Sequence, residues 1–133
     1  MDWVERMNTA INYIEHNLTA EIDKNEISKI TMYPIGLFQR IFTSITGIGL
    51  AEYIRRRRLS LAAIDLLNCN SRIIDIALKY GYSSSDAFSL AFKRLHNVTP
   101  SEARALNKAL VSYPRLSFNL KVKGDIELNY RIF

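Results

Sequence analysis

The chain has 133 residues, enough for one modest domain or two small units sharing a core, and 48% of them are hydrophobic. Its net charge of +5 and pI near 9.5 are compatible with a polyanionic partner. A single Cys69 excludes an internal disulfide and a cysteine-rich zinc site, and His16 with His96 are too few for a metal cluster. No run is apolar enough to cross a membrane and no secretory signal opens the chain, so neither cofactor, metal nor membrane contact is expected and a cytoplasmic protein is the default.

The first element is marked by Trp3, Met7, Ile11, Ile14 and Leu18, which recur at helical spacing and predict an amphipathic helix over residues 3–17. Asp23 then offers an N-cap with Glu26 at the reciprocal position, and Ile27 and Ile30 supply the core residues of a second helix. Tyr33-Pro34 breaks it. Proline suits the first turn of a third helix, which runs to about Thr46, with Gly47 and Gly49 as C-cap and loop. A long helix free of Gly and Pro follows over residues 50–67, and its 18 residues span roughly 27 Å. Asn68-Cys69-Asn70-Ser71 ends that helix, and Ser71 is placed to cap the next, Ile73 to Tyr80. Gly81 turns the chain into a helix over 84–95. Thr99-Pro100 opens the last helix, to Leu106, with Thr99 as N-cap and Glu102 three residues on.

From Leu116 the period changes to two. Leu116, Phe118, Leu120 and Val122 alternate with polar residues, as do Ile126, Leu128, Tyr130 and Ile132, which predicts a β-hairpin. A two-residue loop would mix apolar and polar residues on each face. A loop of Lys123-Gly124-Asp125 instead pairs Val122 with Ile126, Leu120 with Leu128 and Phe118 with Tyr130, and that register is expected. One hairpin alone is marginal in water, and the alternation is still running at Phe133. The tail therefore reads as the beginning of a further domain, and its open edge is expected to pair with another strand, for instance in a dimer.

One pattern occurs twice. Residues 27–47 and 76–97 each hold a short apolar helix, a break, and a second helix with two Phe four residues apart, Phe38/Phe42 and Phe88/Phe92. Each matches a helix-turn-helix, the unit that offers one helix to a DNA groove. With the Phe pairs inward, Ile35, Gly36, Gln39, Arg40 and Thr43 share the outer face of the first candidate recognition helix. Gln39 suits adenine, Arg40 reaches guanine or phosphate, and Gly36 permits close approach. On the second, Ser84, Ser85, Asp86, Ser89, Leu90, Lys93 and Arg94 are outward or flanking. Ser85 and Ser89 bond to bases or phosphates with little discrimination, and Asp86 either accepts from cytosine N4 or favours the helix N-terminus through the dipole. Base readout is assigned to Ile35, Gly36, Gln39, Arg40, Ser85, Asp86, Ser89 and Leu90, and phosphate contact to Thr43, Ser84, Lys93 and Arg94.

Charge supports the same direction. Residues 1–33 hold three basic against six acidic residues, whereas residues 34–61 hold five against one, an asymmetry that orients a protein on a polyanion. Arg55 to Arg58 sweep some 300° around a helix and cannot all face DNA. Arg58, one turn from Ile54 and Ala62, is expected to be partly covered and paired with Asp75 or Asp65. His96 is expected to pack rather than react, and Cys69 to be incidental. No Cys/His pair, carboxylate pair or phosphate loop supports an enzyme. A protein-interaction module with incidental basic charge is the rival reading.

The second unit, Ile76-Ala77-x3-Gly81-Tyr82-x5-Phe88-x3-Phe92-Lys93-x5-Thr99-Pro100, closely resembles the DNA-binding signature of AraC/XylS-type transcription regulators. Phe38-Gln39-Arg40-x-Phe42-x4-Gly47 and Tyr53-Ile54-x3-Arg58-Leu59 fit the family's first unit and linker helix, so the match covers roughly residues 7–106. The resemblance implies an all-α fold of seven helices, two helix-turn-helix subdomains joined by a long linker helix, plus here a C-terminal β-hairpin tail. It implies a sequence-specific regulator that sets two recognition helices in adjacent major grooves of double-stranded DNA, with RNA polymerase as a further partner. The DNA-binding domain is then residues 1–108, with a first unit over 3–47, a linker helix over 50–67 and a second unit over 71–107. Residues 109–133 resemble the junction to a gyrase-inhibitor-like effector-binding domain, which implies a small-molecule effector bound outside this chain. Five positions depart from the family pattern: Met32 stands where Gly is common, His96-Asn97 replaces aromatic-Gly, and Gly36 and Leu90 replace larger or basic readers.

Overall fold

The structure, a computed structural model, describes residues 2–107, 110–123 and 125–132, with side chains described as far as Asn119. Its helices are α1 (Trp3–His16), α2 (Lys24–Thr31), α3 (Ile35–Thr46), α4 (Leu50–Asn68), α5 (Ile73–Lys79), α6 (Ser85–His96) and α7 (Pro100–Leu106). Two strands, β1 (Leu116–Lys123) and β2 (Asp125–Ile132), pair antiparallel. Residues fall into two compact units: Met1–Asn17, Ile22–Ile54 and Pro114–Phe133 form the first, Leu18–Glu21 and Arg55–Tyr113 the second. Helix α4 therefore gives its opening residues to the first unit and the rest to the second.

In the first unit, α1 buries Met7, Ala10, Ile11 and Ile14 on the stripe its periodicity predicts, and α3 buries Phe38 and Phe42. Phe42 is the hub. Its ring centroid lies 5.6 Å from that of Tyr53 on α4 and 6.4 Å from that of Phe118 on β1. Asp23 caps α2 by accepting the Asn25 N–H at 2.8 Å. The reciprocal bond expected from Glu26 does not form. The Asp23 N–H donates instead to the Tyr13 hydroxyl at 3.0 Å, and Glu26 faces Lys29 at 3.4 Å. Helix α2 ends at Met32 in the left-handed region, φ 63°, and α3 ends at Gly47, φ 78°.

The strands take the register expected from their alternation: Val122 opposite Ile126, Leu120 opposite Leu128 and Phe118 opposite Tyr130. Lys123 and Asp125, expected in the loop, instead close the strands opposite each other, and Gly124 and Phe133 lie outside the described residues. Strand β1 is tied into the first unit along its outer edge. The Asn8 side chain donates to the Phe118 carbonyl at 2.9 Å and accepts the Phe118 N–H at 2.8 Å, standing in for a neighbouring strand. The Tyr53 hydroxyl accepts the Leu116 N–H at 3.2 Å and donates to Glu15 at 3.0 Å. With Leu116 and Phe118 buried, the hairpin gains the packing it lacks in isolation. Among the described residues no third strand joins β2.

In the second unit, Leu59, Ala62, Ala63 and Leu66 of α4 pack with Ile76, Ala77, Tyr80, Phe88, Phe92 and Ala103. Arg72, not Ser71, occupies the N-cap of α5; its side chain caps no backbone N–H, and its guanidinium pairs with the Asp75 carboxylate of the first turn at 2.9 Å. Asp65 accepts from Lys79 at 2.8 Å and from the Tyr80 hydroxyl at 2.7 Å. Burial first, then this bond, raises the Tyr80 pKa above its ordinary value. Arg58 thus bonds to neither carboxylate expected for it. It donates to the Leu18 carbonyl at 2.9 Å and the Ala20 carbonyl at 2.8 Å, satisfying backbone acceptors just beyond α1. His96 packs as expected. It is buried, its ring centroid is 4.4 Å from that of Phe92, and its Nε2 lies 3.1 Å from the Leu59 carbonyl. The capping box of Thr99 and Glu102 is formed at the start of α7.

Candidate nucleic-acid interface

Each recognition helix is fixed from inside by its Phe pair. Phe38, Phe42, Phe88 and Phe92 have no exposed surface, and the ring centroids within a pair are 6.1 Å and 5.6 Å apart. A residue on i, i+4 that is driven inward forces its opposite neighbours outward. On α3, Gly36, Arg40 and Thr43 are exposed, and Ile35 and Gln39 are half-buried. A Cβ built on Gly36 meets nothing within 4 Å, so this position leaves open space over the helix start. Pro34 precedes the helix, and no side chain makes a cap hydrogen bond to the first N–H groups of α3.

Helix α6 starts from a true cap. The Ser84 hydroxyl accepts the Ala87 N–H at 3.1 Å, which uses one lone pair and leaves its O–H free to donate. Asp86 lies exposed in the first turn, Ser85 and Ser89 are half-buried, and Leu90 is 56% exposed. Lys93 and Arg94 are exposed in the last turn, where cations favour the helix dipole. Neither they nor Arg40 form an ion pair with another described residue.

The outward residues assigned from sequence are thus all accessible on their own helices, with Ile35, Gln39, Ser84, Ser85 and Ser89 the more enclosed. Two neighbours went unassigned. Ser44 on α3 and Ala87 on α6 are also exposed, and each lies one turn from an assigned residue, Arg40 and Leu90 respectively. Spacing would have found both. Around the second unit, Arg57 donates to the Tyr113 carbonyl at 2.6 Å, and Arg56 stacks over the Tyr113 ring at 4.7 Å. Part of the arginine run is thereby engaged by the protein itself.

Two helix-turn-helix units on a basic chain, each turning a polar helix face outward from an aromatic anchor, define a sequence-specific DNA-binding protein. The family profile for the helix-turn-helix domain matches residues 28–106. The HTH-type transcriptional regulator YbfP of Bacillus subtilis is 36% identical over 125 residues, which cover 93% of this chain and 42% of YbfP. The regulatory protein SoxS of Salmonella typhimurium is 38% identical over 96 residues, covering 72% of this chain and 90% of SoxS. A solved transcriptional regulator with an AraC-type DNA-binding domain, from Chromobacterium violaceum, superposes with a TM-score of 0.71 at 25% identity, over 77% of this chain and 92% of that one. The chain belongs to the AraC/XylS-type helix-turn-helix family of transcription regulators. The family is one of regulators rather than enzymes, and the rival protein-interaction module finds no support in these relatives.

Proposed function

We propose that this chain reads two successive major-groove segments of duplex DNA, one with α3 and one with α6, and controls transcription from that position. The observation that carries the reading is the doubled architecture: two helices, each anchored by a fully buried Phe pair, each exposing unpaired polar and basic side chains. On α3, Gln39 offers an amide that donates to and accepts from adenine, Arg40 a guanidinium for guanine or phosphate, and Ile35 and Gly36 apolar contact and close approach. Thr43, Ser84, Lys93 and Arg94 serve phosphates and fix register without reading sequence.

RNA polymerase is the partner through which such a bound regulator acts. The helices of residues 1–108 carry the DNA reading, and the hairpin carries connections outward. The edge of β2 that no described strand joins takes a strand of a second copy, giving a dimer. An effector held by a domain outside this chain reaches the first unit through β1, which Asn8 bonds to α1.

The test compares specific and random duplexes across a salt series. Gln39→Ala should relax preference at one base pair, worth about 1–3 kcal/mol of discrimination. Lys93→Ala should weaken all sequences alike and flatten the salt slope by about one. Equal losses on specific and random DNA for Gln39→Ala would remove its reading role, and no binding to any duplex at low salt would remove the function.

A further inference from the structure

We propose that α6 is a pyrimidine-reading helix in which Leu90 recognises the C5-methyl group of thymine and Asp86 the exocyclic amino group of cytosine. This rests on the proposed DNA reading and assigns its chemistry. Leu90 stands mid-helix with 56% of its surface exposed, opposite the fully buried Phe88 and Phe92. A single exposed Leu is unremarkable alone. Its surroundings make it selective. Asp86 lies one turn before it, exposed and without an ion-pair partner among the described residues, and Ser85 and Ser89 flank the two.

Bidentate reading of guanine in the major groove takes a cationic donor to O6 and N7, and bidentate reading of adenine takes an amide that both donates and accepts. None of Ser85, Asp86, Ser89 and Leu90 supplies either. Besides two weakly discriminating hydroxyls they supply an apolar surface, which matches the thymine methyl, and a carboxylate acceptor, which matches the cytosine N4 amino group better than adenine N6, because the N7 lone pair beside N6 repels a carboxylate. A carboxylate facing the duplex is repelled by phosphate, so Asp86 is accommodated only where a base presents a donor. The cations that can meet phosphate, Lys93 and Arg94, sit one turn beyond Leu90 in the last turn of the helix. Helix α3 has the opposite chemistry, with Gln39 and Arg40 suited to purines. The two segments of the site are therefore expected to be chemically unlike rather than copies of one repeat.

Methyl reading has a signature that hydrogen bonding lacks. A duplex selected by the wild-type protein from a random pool is remade with each thymine replaced in turn by deoxyuridine, which removes the methyl and nothing else. At one thymine of the α6 segment, affinity should fall about fourfold, the worth of one buried methyl-sized group. Placing cytosine at that position should lower affinity, and 5-methylcytosine there should recover the methyl factor. Leu90→Ala, at an exposed position and with folding checked by circular dichroism, should bind the thymine and deoxyuridine forms equally at that position alone. Indifference of the wild-type protein to every deoxyuridine overturns the inference, as does an identical response of wild type and a folded Leu90→Ala; the first needs only a binding-competent wild type. Failure to retain any duplex from the pool overturns the DNA reading itself, a different result from retention without methyl dependence.

Discussion

Met32 closes α2 with φ 63°, a conformation that costs a side-chain-bearing L-residue roughly 1–2 kcal/mol because Cβ crowds the following carbonyl. The other helix ends in this region are held by residue types that tolerate it, Gly47 at φ 78°, Asn97 at φ 65° and Asn107 at φ 48°. Met32 is also 73% exposed, so its side chain returns little burial for the strain. Replacing it by Gly relieves the crowding and costs about 0.5–1 kcal/mol in extra freedom of the unfolded chain. The net is a stabilisation of about 0.5–1 kcal/mol. With an unfolding entropy of about 2.1 cal/mol/K per residue, a chain of 133 residues should gain roughly 2–4 °C in Tm. Thermal unfolding followed by circular dichroism measures this directly. Met32→Ala is the control: it removes the same exposed side chain but keeps the Cβ, and should stay within about 0.5 kcal/mol of wild type. If Met32→Ala stabilises as much as Met32→Gly, the backbone conformation is not the source and the reasoning fails.

His96 gives a pH dependence of known sign. Burial holds its pKa below the ordinary 6.5, against the smaller opposing effect of the Leu59 carbonyl, and its Nδ1 is buried without a hydrogen-bond partner. The unfolded chain thus takes up a proton before the folded one, and stability, complete above about 6.5, is lost as pH falls through that value towards the lowered pKa. His96→Phe, keeping the contact with Phe92, should flatten the urea midpoint between about pH 7 and 5, and an unchanged slope would assign the effect elsewhere. Asn8→Ala leaves the outer edge of β1 without its two bonds at Phe118, so stability should drop by about 1–3 kcal/mol and the Phe118 amide should exchange faster. Unaltered exchange there would mean that Asn8 does not hold the strand.

What was legible in the sequence is what repeats locally. The Phe pairs fix both recognition helices because two aromatics four residues apart can only share one face, and the hairpin register follows because a slip by one residue would turn the buried Leu116 and Phe118 to the wrong side. The contacts that escaped are those whose partner lies far along the chain. Asn8 reads as an ordinary polar residue on the first helix, yet it pairs with a backbone 110 residues away. For Arg58 the sequence points to carboxylates, because opposite charge is the only partner a sequence displays. Its actual acceptors, the Leu18 and Ala20 carbonyls, belong to the backbone and have no letter of their own. The same blindness explains Asp23, whose N–H goes to the Tyr13 hydroxyl rather than to the acid three residues on.

The site was legible for a different reason. Once the inward residues of α3 and α6 are fixed by packing, exposure of the rest follows from 3.6 residues per turn, and accessible Arg40, Thr43, Asp86, Leu90 and Lys93 sit where that geometry puts them. The two units agree at the positions the fold constrains, an aromatic pair and a left-handed turn, and disagree at the positions it leaves free. Gln39 and Arg40 on one helix answer to Asp86 and Leu90 on the other. Packing therefore cannot have dictated these choices, since a solvated face would accept Lys or Glu at any of them with little change in stability. On the proposed reading, the difference between the two faces is where the identity of the DNA target resides. It follows that exchanging outward residues between α3 and α6, with the Phe pairs untouched, should move base preference while leaving the fold intact.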